Sequence, residues 1–306
     1  MWGKKKGFSF KRFAKALKDV KSELSDSVLI AVASRLETDK ATLANKFISP
    51  NGDSNLFRLL DLFHQQSVDE IFRSISGADI VLLLVDAKIG FDEREIALAV
   101  ATCEIDKPLI AVVDGEVKER ELLFKKIEKF LEIPSSDIAF VSLVESTGLS
   151  DLAVKILDKL DGKEVVAGRY VPGLSRTATD RLIKKTATQN GLIGGITILP
   201  GSDMPILTAN QIRMILRISA IYGVELNFDR VRELLAVVGG GYAFRAVARQ
   251  LLIFLPGIGW AIKGGVAYTG TLLLGEATKK YFESGFGYLT NEDIKELCEK
   301  ITRVEK

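Results

Sequence analysis

Side chains able to do chemistry are few in this sequence, and most of them stand at the ends of apolar runs. There is one histidine, His64, and the two cysteines, Cys103 and Cys298, lie in separate regions, so neither a disulfide framework nor a metal site of His/Cys spacing is expected. No nucleophile elbow is present either. What remains is charge: Lys40 shortly after VLIAVAS, Asp61 after Leu56–Leu60, Asp86 after Ile80–Val85 and Asp114 after Leu109–Val113. A lysine just past a strand, with Thr42 beside it, can meet a phosphate. The plainer reading is a helix-start lysine, solvated or paired with Asp39 or Glu37. Asp86 and His64 read as structural or surface residues.

The elements that would position these residues follow from periodicity. Val28–Ala33, Leu56–Leu60, Ile80–Val85, Leu109–Val113 and Ile138–Val141 are continuous apolar runs, the pattern of strands buried on both faces. Helical patterns separate them over Lys40–Phe47, Val68–Ile75, Glu93–Cys103 and Glu119–Leu131, and another follows over Leu149–Leu160. Strand and helix in alternation imply a parallel sheet covered by helices on both sides.

The succession VLIAVASRLETDKATLANKF, LLDLFHQQ, ADIVLLLVDA, KPLIAVVDGE and IAFVSLVESTGLSDL resembles the Era-like branch of the P-loop GTPases. The resemblance implies a truncated Ras-like, P-loop NTPase-type α/β domain, and it makes the departures from the pattern informative. Where the phosphate loop reads G-x-x-x-x-G-K-[ST], this chain has Ser34, Asp39, Lys40 and Ala41. Asp39 sets a carboxylate where phosphate would approach, and Ala41 has no hydroxyl for magnesium, so both changes oppose nucleotide. The D-x-x-G landmark is Asp61-Leu62-Phe63-His64, with Gln65 where some GTPases place the residue that orients water. The N-K-x-D that reads guanine is Asp114-Gly115-Glu116-Val117, and Val141, Ser142 and Leu143 keep the outline of the base-contacting loop. Between Lys40 and Asp61 there is little room for the family's first switch and its additional strand. The implied reading is a GTPase fold that has lost its GTPase.

Beyond Asp161-Gly162-Lys163 the composition shifts, with Gly168–Gly173 read as a linker and a helix from about Arg176 to Gln189. An apolar segment follows, GLIGGITILPGSDMPIL, and then a helix capped by Thr208 with Gln211 completing a capping box. Between Leu251 and Gly275 the only charge is Lys263, and Pro256 divides the stretch into two helices. Its eleven Leu, Ile, Val and Phe residues from Leu251 to Leu274 each favour insertion into lipid by about 0.3–0.6 kcal/mol, against about 2.5–3.5 kcal/mol for one central lysine. That balance permits a membrane-inserted hairpin or a buried helical pair. Gly257, Ala261, Gly265 and Thr269 form a line of small residues for close helix packing. TANQIRMILRISAIYGVEL, RELLAVVGGGYAFRAVARQLLIFLPGIGWAIKGG and TGTLLLGEATKKYFE together resemble a bacterial helical domain of unknown function often fused behind Era-like GTPase domains. That resemblance implies association with the cytoplasmic membrane and brings no catalytic residues.

Asp203, Arg213, Arg217, Arg245, Arg249 and Glu276 are charges in apolar surroundings. They either pair, Asp203 or Glu276 with an arginine, to set helix register, or form a headgroup site at the mouth of the bundle. At the other end, eight of the first twenty-one residues are Lys or Arg against the one acid Asp19. Phe10, Phe13, Ala14, Leu17 and Val20 share a helical face opposite Lys11, Arg12, Lys15 and Lys18, behind Trp2, Lys4, Lys5 and Lys6. Such a helix either lies in an anionic membrane interface or docks on the protein body by its apolar stripe.

The 306 residues have a net charge of only +2, which gives no general affinity for nucleic acid. With no signal-peptide pattern, the cytoplasm or its side of the cell membrane is the expected compartment, with peripheral or partly inserted attachment. The expected organisation is a basic N-terminal helix (1–26), a degenerate GTPase-like domain (27–162), an all-α, glycine-rich hydrophobic domain (163–288) and a C-terminal amphipathic helix (289–306). Such a chain would scaffold or bind a protein partner, another protein or a second copy of itself, at an anionic membrane surface, without catalysis, metal or cofactor. Membrane contact would fall to Trp2, Lys4, Lys5, Lys6, Phe10, Phe13, Leu17 and Trp260. The alternatives are an atypical NTPase binding GTP and magnesium through Lys40 and Thr42, and a soluble oligomer packed through the small-residue line.

Overall fold

The computed structural model describes residues 10–35, 37–47, 56–61, 68–115, 120–196, 204–226 and 260–285. In chain order the main elements are α1 (Phe10–Glu23), β1 (Ile30–Ser34), α2 (Glu37–Phe47), β2 (Phe57–Asp61), α3 (Val68–Ile75), β3 (Ile80–Asp86) and α4 (Glu93–Glu104). They continue as β4 (Leu109–Asp114), α5 (Arg120–Leu131), β5 (Ile138–Val141), α6 (Leu149–Lys159), α7 (Glu164–Tyr170), α8 (Pro172–Ile196), α9 (Met204–Ile221) and α10 (Trp260–Glu283). The chain divides into two compact units, Asp26–Ala178 and Met1–Ser25 with Thr179–Lys306.

The first unit is a five-stranded sheet in the order β2-β1-β3-β4-β5, and every pairing is parallel. The five apolar runs are its five strands. β1 is buried along its whole length and β3 at every residue but its last, Asp86, as a strand covered on both faces requires. Ala31, Val81, Leu83, Ala111 and Val113 meet Ile75, Leu98 and Ile127 from the helices in one buried core. Each large aliphatic there contributes about 1.5–3 kcal/mol by leaving water. At the start of α6, Gly148 adopts φ 75°, and a Cβ there would stand 2.1 Å from the Phe140 carbonyl oxygen, so only glycine fits.

Gly168–Gly173 is not a linker. Gly168 is buried within α7 and Gly173 lies in the first turn of α8, where the Ser175 hydroxyl donates to the Gly168 carbonyl at 2.5 Å. A Cβ on Gly173 would be 2.8 Å from Phe47, so glycine here serves close packing rather than chain flexibility.

In the helical unit, Ala16 and Val20 of α1 are 2% and 0% exposed, and α1 packs along α9. Its docked face centres on Ala16 and Val20, whereas Ala14, expected on the apolar stripe, is exposed and Leu17 half-buried. Thr208 lies within α9, which starts at Met204, so it is not an N-cap. Its supposed capping partner Gln211 instead donates to Thr271 Oγ1 at 3.1 Å.

The close approach of α8 and α10 uses a different line of small residues from the one expected. A Cβ on Gly264 would be 2.9 Å from the Gly191 carbonyl oxygen and 3.4 Å from Gly195 Cα, while one on Gly275 would be 2.7 Å from the Ile183 side chain. A Cβ on Gly265 would meet nothing within 4 Å, and Thr269 is half-buried. Gly257 and the side chain of Ala261 lie outside the described residues. Beside this contact Asn190 Nδ2 donates to Thr271 Oγ1 at 2.9 Å, and Asn210 Nδ2 to Asn190 Oδ1 at 2.9 Å. Buried amides paired in this way fix the register of the three helices. Among the described residues no helix is long and apolar enough to cross a membrane.

Candidate functional site

A parallel sheet of this order has one place where successive connections leave in opposite directions, the gap between β1 and β3. Ligands of open α/β sheets bind outside the carboxyl ends of the strands at that point. Here it holds a cavity of about 160 Å³ lined by Ser34, Arg35, Leu84, Asp86, Ile89, Gly90 and Glu95. Ligand pockets typically measure about 300–1,000 Å³, so this one is small.

Arg35, the residue after β1, occupies the crevice. Its Nε donates to Glu95 Oε1 at 2.5 Å, its Nη1 to Asp92 Oδ2 at 3.2 Å and its Nη2 to the Gly90 carbonyl at 2.8 Å. The two carboxylates are held in turn by the start of α4. Asp92 is its N-cap, accepting from Arg94 N, while Glu95 accepts from Asp92 N at 2.9 Å, a complete capping box. The bond from Arg94 N is the main reason the Asp92 carboxyl lies below its ordinary pKa. Burial does the opposite to Glu95, which is 1% exposed, and pushes its pKa up. Among the described residues that line the cavity, Asp86 and Glu95 are acidic and Arg35 is basic.

The turn between β1 and α2 is equally telling. The strand ends at Ser34 and the helix begins at Glu37. A phosphate loop needs a run of non-helical residues between strand and helix, so that successive N–H groups converge on the anion. Lys40 is therefore four residues into a helix and 2% exposed, with Ala41 and Thr42 half-buried behind it. Asp39 lies in the same helix, and Asp61 closes β2 opposite Ser34 in register; their side chains are outside the described residues, as are His64 and Gln65. The sheet thus brings Ser34 and Asp61 together without placing Lys40 on the loop.

Asp86 and Asp114 also share a register position, and each is spent on loop structure. Asp86 Oδ1 accepts from Lys88 N at 2.7 Å and Ile89 N at 3.0 Å, and Asp114 Oδ1 accepts from Leu143 N at 2.8 Å. No group of three or more His, Cys, Asp or Glu able to hold a metal occurs among the described residues.

In the helical unit, Arg213 pairs with Asp19 at 3.6 Å, and Arg217 forms a fork with Glu23 at 2.5 and 2.9 Å. Both of these partners come from α1. Asp203, Arg245, Arg249, Trp2, Lys4, Lys5 and Lys6 lie outside the described residues, as do the side chains of Phe10, Phe13 and Trp260. Sequence reasoning missed Arg35, Asp92 and Glu95. The D-x-x-E spacing ahead of α4 was a readable capping-box signal, whereas nothing local marks Arg35.

Residues 166–306 match the family described as a domain of unknown function, DUF697. The chain is also similar to elongation factor 4 of Staphylococcus carnosus, 24% identical over 147 residues, which is 47% of this chain and 24% of that protein. Elongation factor 4 of Shouchella clausii is 25% identical over 173 residues, 55% of this chain and 27% of its own length. The chain therefore spans about a quarter of the length of the curated relatives it matches. The five-stranded parallel sheet followed by a helical region is compatible with a P-loop-like α/β domain joined to a helical domain.

Proposed function

We propose that this chain is a pseudo-GTPase, an Era-like domain that no longer binds or hydrolyses nucleotide and that scaffolds a protein partner on the cytoplasmic side of a membrane. The observation that carries the nucleotide half is Arg35, whose three donor nitrogens are spent on Glu95, Asp92 and Gly90 in the crevice where phosphates would lie. A polyphosphate there would face Asp86 and Glu95, and among the described lining residues the one guanidinium, that of Arg35, is already committed. The early start of α2 and the burial of Lys40 support the same reading. The membrane half is supported by the cationic N-terminal segment and the nearly uncharged stretch from Leu251 to Gly275.

Phosphate release from GTP and ATP with magnesium, measured on the full chain and on Lys40→Ala, tests the first half. Release at background level from both proteins is expected. Turnover that Lys40→Ala abolishes would overturn the proposal in favour of an atypical NTPase.

A further inference from the structure

The docked helix α1 separates its charges by face. Its two acids, Asp19 and Glu23, are paired with Arg213 and Arg217 of α9, and Ala16 and Val20 are buried. Lys15, Lys18 and Lys21 are exposed, at spacings of three that keep them on the side away from Val20. Of the charged residues from 14 to 23, the three lysines are exposed, whereas Asp19 and Glu23 are half-buried. Upstream, Lys4, Lys5, Lys6, Lys11 and Arg12 continue the same sign.

From this separation we infer that α1 binds an anionic lipid surface through Lys15, Lys18 and Lys21 while Ala16 and Val20 stay buried, an electrostatic contact made without inserting the helix. The inference rests on the membrane half of the proposed function and specifies how that contact is made. An interfacial helix that inserts needs its apolar face for the lipid, but here Ala16 and Val20 of that helix are already buried and its acids are held by arginines. Lipid fits better than nucleic acid because the same unit also exposes apolar side chains. Leu192 and Ile196 near the end of α8 and Ile206 at the start of α9 are 61%, 78% and 53% exposed, and neither the last turn of α8 nor the first turn of α9 contains a charged residue. A phosphodiester backbone offers such side chains nothing, whereas the acyl boundary beneath anionic headgroups does.

The test is sedimentation of the full chain with phosphatidylcholine vesicles, with and without phosphatidylserine, at low and high salt. It compares the wild type with Lys15→Glu/Lys18→Glu/Lys21→Glu and with the milder Lys15→Gln/Lys18→Gln/Lys21→Gln. Each lysine near an anionic surface is worth about five-fold in partitioning, so the glutamine variant should lose about a hundred-fold on phosphatidylserine vesicles and the charge-reversed glutamate variant more. High salt should abolish the α1 contribution, because exposed charges are screened. Unchanged circular dichroism melts of the glutamine variant secure the comparison. Wild-type binding to phosphatidylserine vesicles that the triple variants retain, or that survives high salt undiminished, would overturn this inference and leave the membrane reading standing. No binding by the wild type to either vesicle would overturn both. Lysine-dependent binding to duplex nucleic acid in preference to the vesicles would reassign the surface and overturn the inference.

Discussion

Arg35 and Glu95 lie sixty residues apart in the chain, yet Arg35 Nε donates to Glu95 Oε1 at 2.5 Å across the carboxyl ends of β1 and β3. The bond joins the first residue after β1 to the first turn of α4. It closes the crevice at the position where doubly wound folds hold ligands.

Removing the arginine should reveal how much of the fold depends on this closure. Arg35→Ala leaves Glu95, 1% exposed, without its charged partner. The expected loss is about 3 kcal/mol, the low end for a broken buried pair, because the Arg35 side chain is itself 18% exposed. Urea denaturation measures it. A change below about 0.5 kcal/mol, the size of an ordinary surface substitution, would show that the pair does not brace the site.

The Glu95 carboxyl supplies a pH signature. Burial raises its folded pKa above the ordinary 4.5, so its stabilising contribution is complete below 4.5 and is lost as pH rises through the raised value. Asp92 is shifted down and acts oppositely, losing its contribution as pH falls below 3.8. Denaturation of wild type and Glu95→Gln from pH 4.5 to 7 should therefore show the wild type's advantage shrinking as pH rises. An advantage that stays constant or grows over that range would contradict the burial of this carboxyl.

Neighbouring glycines in α10 should respond in opposite ways. Gly264→Ala sets a Cβ 2.9 Å from the Gly191 carbonyl oxygen, whereas Gly265→Ala meets nothing within 4 Å. Forcing backbone apart is expected to cost about 1–3 kcal/mol at Gly264, while alanine at Gly265 should stabilise the helix by about 0.5–1 kcal/mol. Thermal melts of the two variants decide it, and equal shifts would mean that α10 presents a different face to α8.

The hold of α9 on α1 is open to a double-mutant cycle. Glu23→Ala, Arg217→Ala and the double variant should give a coupling of about 0.5–1 kcal/mol, typical of a partly exposed pair in good fork geometry. A coupling indistinguishable from zero would mean that the Glu23–Arg217 pair adds nothing to the docking of α1.

The α/β unit was readable in the sequence because parallel strands are buried on both faces. Val32 and Leu82 have no solvent side to impose alternation, so their runs stand out as unbroken apolar segments. The helical unit was less readable because its glycines serve packing. Gly173 suggested a linker only as long as Phe47, more than a hundred residues earlier, was not known to lie against it. The choice of Gly264 over Gly265 as the contact is a rotation of one residue about α10, decided by Gly191 and Gly195 on another helix. For the site, the departures from the phosphate-loop pattern at Ser34, Asp39 and Ala41 were visible in the sequence. The cluster around Arg35 was not, because Arg35 has meaning only once the topology brings Asp92 and Glu95 beside it.

The central claim is that the crevice no longer takes nucleotide. Calorimetric titration of the full chain with GTP, GDP and ATP in the presence of magnesium tests it most directly. No saturable heat is expected up to about 1 mM nucleotide, where binding would be worth only about 4 kcal/mol. Saturation by GTP at micromolar concentration would contradict it, since Arg35 would then have to leave Glu95 and Asp92 to admit phosphate.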